Sequence, residues 1–390
     1  MSTRIPGFTS TGSKRPEALF GSLAGSADLP ERMVSAEGCR VEDDQGHRYI
    51  DYVMGLGAVA LGYAHPAVTR AAQAAVADGV VGPLPPVLES RLAERICRLM
   101  PWIEQVRFLK TGAEAAAAAI RIARAVTGRE LVLGCGYHGW HDWCQPGGTR
   151  GVPAAIGELF AEIPFNDPER AGALIRAAGD QLAAVIVEPV IAELPSAEWL
   201  AVLRTETDRL GAVLIFDEIK TIGRVALGGA AERFGVEPDL VVMGKAIGNG
   251  FPIAAVGGRA EVMAGVTHTW ISSTLSTESV SLAAADATLD VLEREAVPTH
   301  LARVGQVLLD GLTIAAGRHP AVVRGVAGIP EMCFLQMQRD ELSSALAAGC
   351  ARRGVLFKRT AYNFVSLAHD DAVVGITLDA VEDVLRELDH

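Results

Sequence analysis

Ala212-Val213-Leu214-Ile215-Phe216-Asp217-Glu218 is a run of five apolar residues closed by two acids. A short, continuous apolar run of this kind reads as a buried strand, and an acid at its end is costly unless a positive or hydrogen-bonding group meets it. The form recurs on both sides. Residues 182–187 are apolar throughout, and Asp239-Leu240-Val241-Val242-Met243-Gly244-Lys245-Ala246-Ile247-Gly248-Asn249-Gly250 ends a third apolar strand on a lysine set among glycines. Further strands are predicted at 105–110, 131–133 and 253–256, with helices at 66–78, 87–100, 113–126, 169–178 and 198–210. Strands alternating with helices predict an α/β fold with a mostly parallel mixed sheet.

The flanks read differently. Residues up to about 30 are polar and rich in Gly, Ser and Pro, an irregular arm. Residues 38–52 predict two short strands around an Asp44-Gln45-Gly46 turn. The pattern changes near Thr274, after which helices at 278–294, 301–316, 341–352 and 378–388 surround short strands at 333–335 and 363–367. The expected organisation is an N-terminal arm and part of a small domain in 1–50, a large domain in 51–277, and a small α+β domain in 278–390.

Composition excludes some partners. The 390 residues are 49% hydrophobic, enough for a large core, and 35 Lys+Arg against 47 Asp+Glu leave a net charge of −12. An acidic surface repels phosphate backbones and anionic lipid, so neither nucleic acid nor membrane is an expected partner. Six scattered cysteines, no apolar leader and no bilayer-length apolar run predict a soluble, cytoplasmic protein.

In open α/β sheets ligands bind beyond the carboxyl ends of the strands. Four features lie there. Asp217 and Glu218 end one strand. Lys245 ends another, and a desolvated lysine is the amine that forms Schiff bases. Thr111-Gly112-Ala113-Glu114 opens a helix, whose free N–H groups suit an anion. The loop Gly134-Cys135-Gly136-Tyr137-His138-Gly139-Trp140-His141-Asp142-Trp143-Cys144 offers a flat aromatic platform in Tyr137 or His138. The same loop fits a dinucleotide glycine pattern, but no helix opens after it. Cys135, His138, His141 and Cys144 have metal-like spacing, but no second knuckle accompanies them, so no metal is assigned. A nucleotide hydrolase would need GxxxxGK[ST], and Lys245 is followed by Ala246. An amine, an acid, a stacking ring and a phosphate cradle are together what pyridoxal phosphate requires. Its aldehyde needs Lys245, its ring nitrogen Asp217, and its phosphate the helix start at Gly112-Ala113.

In order, Thr111-Gly112-Ala113-Glu114, Tyr137-His138-Gly139, Glu188-Pro189, Phe216-Asp217-Glu218-Ile219, Gly244-Lys245 and Ser273-Thr274-Leu275-Ser276 resemble the class III aminotransferases, pyridoxal-phosphate enzymes of fold type I. Tyr49-Ile50-Asp51-Tyr52 and Arg224-Val225-Ala226-Leu227-Gly228-Gly229-Ala230 are similar to the glutamate-1-semialdehyde aminomutase subgroup. The resemblance implies that Lys245 carries the cofactor, Asp217 pairs with its ring nitrogen, Tyr137 stacks on the ring and Ile219 covers the other face. It implies phosphate contacts from Gly112, Ala113 and a neighbouring subunit's Thr274, hence a homodimer with its active sites at the interface. His138 and Glu188 complete the cofactor-binding set. The sequence departs from the aminomutase pattern at Ala113, Gly134 and near Ala361, where that pattern carries a hydroxyl residue, an acid and a second acid. The expected function is transfer of an amino group from a small-molecule donor, an amino acid, to an aldehyde or ketone acceptor, sugar-like or cyclitol-like. The alternative is a 2,1-aminomutase or another isomerase using the same cofactor.

Overall fold

The structure, a computed structural model, describes residues 4–360 and 362–389. The chain forms two compact units, one from residues up to Pro66 together with those from Ala296 onward, the other from Ala67–Glu295. The first unit holds strands β1 (Met33–Glu37), β2 (Arg40–Asp43) and β3 (Arg48–Asp51). The second holds β4 (Gln105–Leu109), β5 (Leu131–Cys135), β6 (Phe160–Glu162), β7 (Leu182–Val187), β8 (Val213–Asp217), β9 (Leu240–Met243) and β10 (Ala254–Gly258). The chain then returns to the first unit with β11 (Val323–Ile329), β12 (Met332–Met337), β13 (Val355–Leu356) and β14 (Asn363–Phe364).

The expected boundaries after residues 50 and 277 move to 66 and 295, for visible reasons. Residues 51–66 are tied to the first unit: β3 pairs in parallel with β13, the Tyr63 hydroxyl donates to Asp51 at 2.7 Å, and a Cβ on Gly62 would lie 2.8 Å from that of Ala368. The helix Ser279–Arg294 is tied to the second unit through Asp286, which pairs with Arg91 at 2.8 Å and Arg95 at 2.7 Å on the helix Val87–Leu99.

The second unit is the α/β body. Its seven strands lie in the order β4-β10-β9-β8-β7-β5-β6. β5, β6, β7, β8 and β9 pair in parallel, and β10 runs antiparallel to both β9 and β4. The carboxyl ends of β4 and β5 to β9 therefore share one edge. Every residue of β7, β8 and β9 is buried, which is why their sequences are continuously apolar except for Asp217 at the end of β8. The helix Gly112–Thr127 packs on this sheet with seven buried residues, five of them alanine, so small side chains let it approach closely. β6, invisible as a pattern in Phe160-Ala161-Glu162, owes its place to pairing with β5.

In the first unit β1, β2, β3 and β13 form one sheet and β11, β12 and β14 another. The arm read as irregular contains a short helix, Pro16–Phe20, whose Phe20 joins a core with Leu29, Ala347, Ala348 and Ala351. β1 and β11 also lacked a sequence signal. The first is largely exposed and the second glycine-bearing, and each is held by its neighbour's ladder. Among the described residues no helix is long and apolar enough to cross a membrane.

Candidate active site

Five strand ends of the second unit carry the site. Beyond β4, Thr111 caps the helix Gly112–Thr127. Its hydroxyl accepts the Glu114 N–H at 3.2 Å, and Glu114 Oε2 accepts the Thr111 N–H at 2.9 Å. This reciprocal cap uses the amide of Glu114 and leaves the N–H groups of Gly112 and Ala113 at the helix mouth without intrahelical acceptors.

Beyond β5, the loop turns sharply at Gly136 and Gly139, with φ of +106° and +104°. Both need to be glycine. A Cβ on Gly136 would sit 2.7 Å from Glu188 Cγ, and one on Gly139 2.6 Å from Ala113 Cβ. The second contact presses the aromatic loop onto the helix mouth. The Tyr137 N–H donates to Glu188 Oε1 at 2.6 Å, and Tyr137 as a whole is 72% exposed. His138 turns inward and is buried. Its Nδ1 lies 2.8 Å from Asp217 Oδ2 at the end of β8, and its ring stacks on Trp143 with centroids 6.2 Å apart. Of the two rings offered by the sequence, His138 is thus committed to the acid, and Tyr137 is the open one. Among the described residues the buried Nε2 of His138 has no hydrogen-bond partner.

Asp217 and Glu218, adjacent in sequence, serve different surroundings. Glu218 accepts the N–H groups of Ala230 and Ala231, each at 2.8 Å, and burial pushes its carboxyl up to about 7. Asp217 faces His138 and accepts the Ile219 N–H at 3.3 Å. Ile219 then wedges between two strand ends. A Cβ on Gly112 would lie 3.0 Å from its Cδ1, and one on Gly244 2.8 Å.

Lys245 follows β9 with φ of +47°, a left-handed conformation unusual for a residue with a side chain. Burial, and after it the nearby Lys220 cation, pull its amine down to about 8. Glu188, just beyond β7, forms an ion pair with Lys220, so both its oxygens are engaged. Lys220 and the fully buried Arg224, both on the segment after β8, had no assigned role in the sequence reading. The available signal for Lys220 was its place two residues after the paired acids.

Thr274 is exposed on the turn Thr274–Thr277, and no hydrogen bond joins it to the other site residues. Its segment is anchored by Arg121, which donates to the Trp270 carbonyl at 2.8 Å, and by the Lys110–Glu278 pair at 2.7 Å. At Gly134, where the aminomutase pattern carries an acid, a Cβ would lie 2.5 Å from the Phe160 ring, which leaves no room for a longer side chain. Ala361 lies outside the described residues. Of the cations considered for an acidic substrate group, Arg359 is paired with Asp340, Lys358 has an amine lowered by burial, and Lys14 and Arg15 are exposed.

Pyridoxal phosphate fits this arrangement. A helix mouth with free amides, a strand-end carboxylate backed by a histidine, an exposed aromatic ring and a desolvated amine converge on one sheet edge. Glycines stand wherever a Cβ would close the space around Ile219 and the loop. The fold is that of a fold type I pyridoxal-phosphate transferase. The aminotransferase class-III family model spans residues 24–385, and the chain belongs to that family. It is a pyridoxal-phosphate-dependent aminotransferase of class III. The chain is 36% identical to a glutamate-1-semialdehyde 2,1-aminomutase of Syntrophobacter fumaroxidans (strain DSM 10017 / MPOB), across 88% of each protein. Its fold is similar to that of the FumI protein of Sphingopyxis sp. MTA144, solved with PLP, at 27% identity and a TM-score of 0.92, covering 99% of this chain and 94% of the other. It is also similar to a β-phenylalanine aminotransferase from Variovorax paradoxus, at 28% identity and a TM-score of 0.86, covering 98% and 91%.

Proposed function

We propose that this chain is a transaminase that takes the amino group of an amino-acid donor and delivers it to a small aldehyde or ketone, working as a homodimer. The observation that carries the reading is the His138–Asp217 pair at 2.8 Å on the same sheet edge as Lys245. Bound at this edge, pyridoxal phosphate supplies an aldehyde that condenses with amines and a ring that draws electrons from the carbon bearing them. Asp217, held by His138, offers its carboxylate to the ring nitrogen. Gly112 and Ala113 would donate their N–H groups to the phosphate. Tyr137 and Ile219 would cover the ring, and Glu188 fixes the backbone that carries Tyr137. Lys245 Nζ would hold the aldehyde and would carry the proton to and from the reacting carbon. With its pKa lowered to about 8, a useful share of the amine is neutral near pH 7 and able to accept that proton. Thr274 is exposed, as expected of a hydroxyl that serves the phosphate bound to a neighbouring subunit.

The large unit of this reading is 67–295, the small one the two termini together. All six cysteines are free, which suits a cytoplasmic enzyme. The second reading, a 2,1-aminomutase, is supported by the name of the 36% identical relative. The Phe160 ring against Gly134 and the likeness to a β-phenylalanine aminotransferase favour the transaminase. Borohydride reduction followed by peptide mapping tests the site, and the tag is expected on Lys245. A screen of aldehyde and ketone acceptors, sugar-like and cyclitol-like compounds included, against the amine-loaded enzyme tests the reaction. Product formed without any external amino donor would establish the aminomutase instead.

A further inference from the structure

We infer that Lys220 is a positioning residue for the reacting amine: its ammonium, paired with the Glu188 carboxylate at the strand ends, sets the charge balance in which Lys245 works. The inference rests on the reading of Lys245 as the amine that bonds the cofactor.

Three observations support it. The first is economy. Only five of the 35 basic residues are lysine, namely Lys14, Lys110, Lys220, Lys245 and Lys358, so the chain uses arginine almost everywhere a surface cation is needed. Two of the five are gathered at this site. The second is burial. The side chains of Lys220 and Glu188 are only 13% and 7% exposed, and taking two charges this far out of water is a cost that only their mutual pairing and further hydrogen bonds offset. The Glu188 carboxylate cannot swing to a cheaper position, because its other oxygen holds the Tyr137 N–H at 2.6 Å.

The third is the count of charges around the amine. Lys245 follows β9, and the ends of the two strands beside it, β8 and β7, carry two buried or nearly buried cations, Lys220 and Arg224, and two buried anions, Asp217 and Glu188. Asp217 is bonded to His138, and the remaining acid of that turn, Glu218, is turned to the amides of Ala230 and Ala231. With the four charges balanced, burial decides, and burial favours the neutral amine. Without Lys220 the surroundings carry one net negative charge, which holds a proton on Lys245. The lowered pKa of Lys245, in which Lys220 is the largest cause after burial, agrees with this balance.

The test uses the full-length chain freed of cofactor and unphosphorylated pyridoxal as the probe. The rate of capture is followed by absorbance against pH, and the linked lysine is identified by borohydride reduction and peptide mapping. The midpoint of the rate profile reads the ionisation of the capturing amine. Lys220→Met is expected to raise the midpoint by on the order of one pH unit, slowing capture at pH 7 about tenfold. Lys220→Arg, which keeps the charge, is expected to stay near the parent. Glu188→Gln is expected to lower the midpoint, and Lys220→Met combined with Glu188→Gln to return toward the parent value. A role for Lys220 in folding alone would lower the melting temperature and leave every midpoint in place, and that result overturns the inference. If Lys220→Met does not fold, Glu188→Gln decides: an unmoved midpoint overturns it equally. A tag absent from Lys245 in the parent chain would instead sink the underlying reading of the site, whereas a tag on Lys245 with unmoved midpoints sinks this inference alone.

Discussion

His138 Nδ1 stands 2.8 Å from Asp217 Oδ2, although 79 residues separate them in the chain, and both side chains are almost wholly buried. A carboxylate in such a place is tolerated only with a partner, so the pair is both a stability element and the support of the site's acid. His138→Phe keeps an aromatic ring but removes the donor. It is expected to lower stability by about 1–3 kcal/mol and to reduce turnover, with His138→Asn intermediate. Thermal unfolding of the cofactor-free chain alongside kcat measurements will check this, and an unchanged melting temperature would mean that Asp217 has another sufficient partner.

Asp217→Asn keeps the shape and the two hydrogen-bonding positions while removing the charge. The cofactor should still bind. Turnover should fall by at least about 10²-fold, because the effect is electrostatic and acts in a desolvated site. Retained kcat in this variant would show that a different acid serves the ring.

The Lys245 amine contributes a pH dependence of known sign. Its pKa in the cofactor-free fold is about 8, against 10.5 for the ordinary amine. Between these values the unfolded chain binds more protons than the folded one, so stability rises as pH rises through that window. Below pH 8 the folded state pays the full cost of burying the charge. Lys245→Met should therefore stabilise the cofactor-free chain near pH 7 by on the order of 1–3 kcal/mol, and the advantage should shrink towards pH 10. A difference that is flat from pH 7 to pH 10 contradicts the assignment. The same variant should lose the covalent cofactor link.

Ile219 fills the space that glycine leaves at positions 112 and 244. Gly244→Ala would push a Cβ to 2.8 Å from Ile219 Cδ1, so Ile219 must shift. Cofactor affinity, measured by equilibrium dialysis, should weaken about tenfold for a clash of roughly 1–2 kcal/mol. Ile219→Val in the same chain should recover part of the loss, and absence of recovery would place the clash elsewhere.

Thr274 offers a test of the homodimer. Because it is exposed, Thr274→Ala should leave the melting temperature of the cofactor-free chain unchanged while weakening cofactor binding. Mixing Thr274→Ala subunits with Lys245→Ala subunits should restore activity to about a quarter of the parent if each site draws its threonine from the other subunit, since half of the random dimers then hold one intact site in two. No recovery would mean that the threonine acts within its own chain or not at all.

Parts of this structure were legible from residue types in order. β7 and β9 fall where the apolar runs place them, and the helix Gly112–Thr127 starts at the expected cap. Continuous burial leaves a strand with no polar alternation to confuse with a surface, and Thr followed three residues later by Glu is a local signal. β6 and β11 were not legible, because their ladders rather than their side chains hold them. The helix Ser279–Arg294 was legible as a helix but not as part of the larger unit. That depended on Asp286 meeting Arg91 and Arg95, residues nearly two hundred positions away in sequence.

The site divides the same way. Lys245, Asp217, Gly112 and Tyr137 lie at strand ends, and the order of strands and helices along the chain was enough to put them there. The sequence by itself determined the chemistry on offer: an amine, an acid, an anion cradle and a ring, because those depend on residue type and on local turns. Only the tertiary structure decided how neighbours were parted. Asp217 and Glu218 follow one another, yet successive side chains at a strand end point to opposite sides. One meets His138 and the other the amides of Ala230 and Ala231. It likewise decided that Lys220 meets Glu188, since a charge pair across two strands exists only once the sheet has brought their ends together.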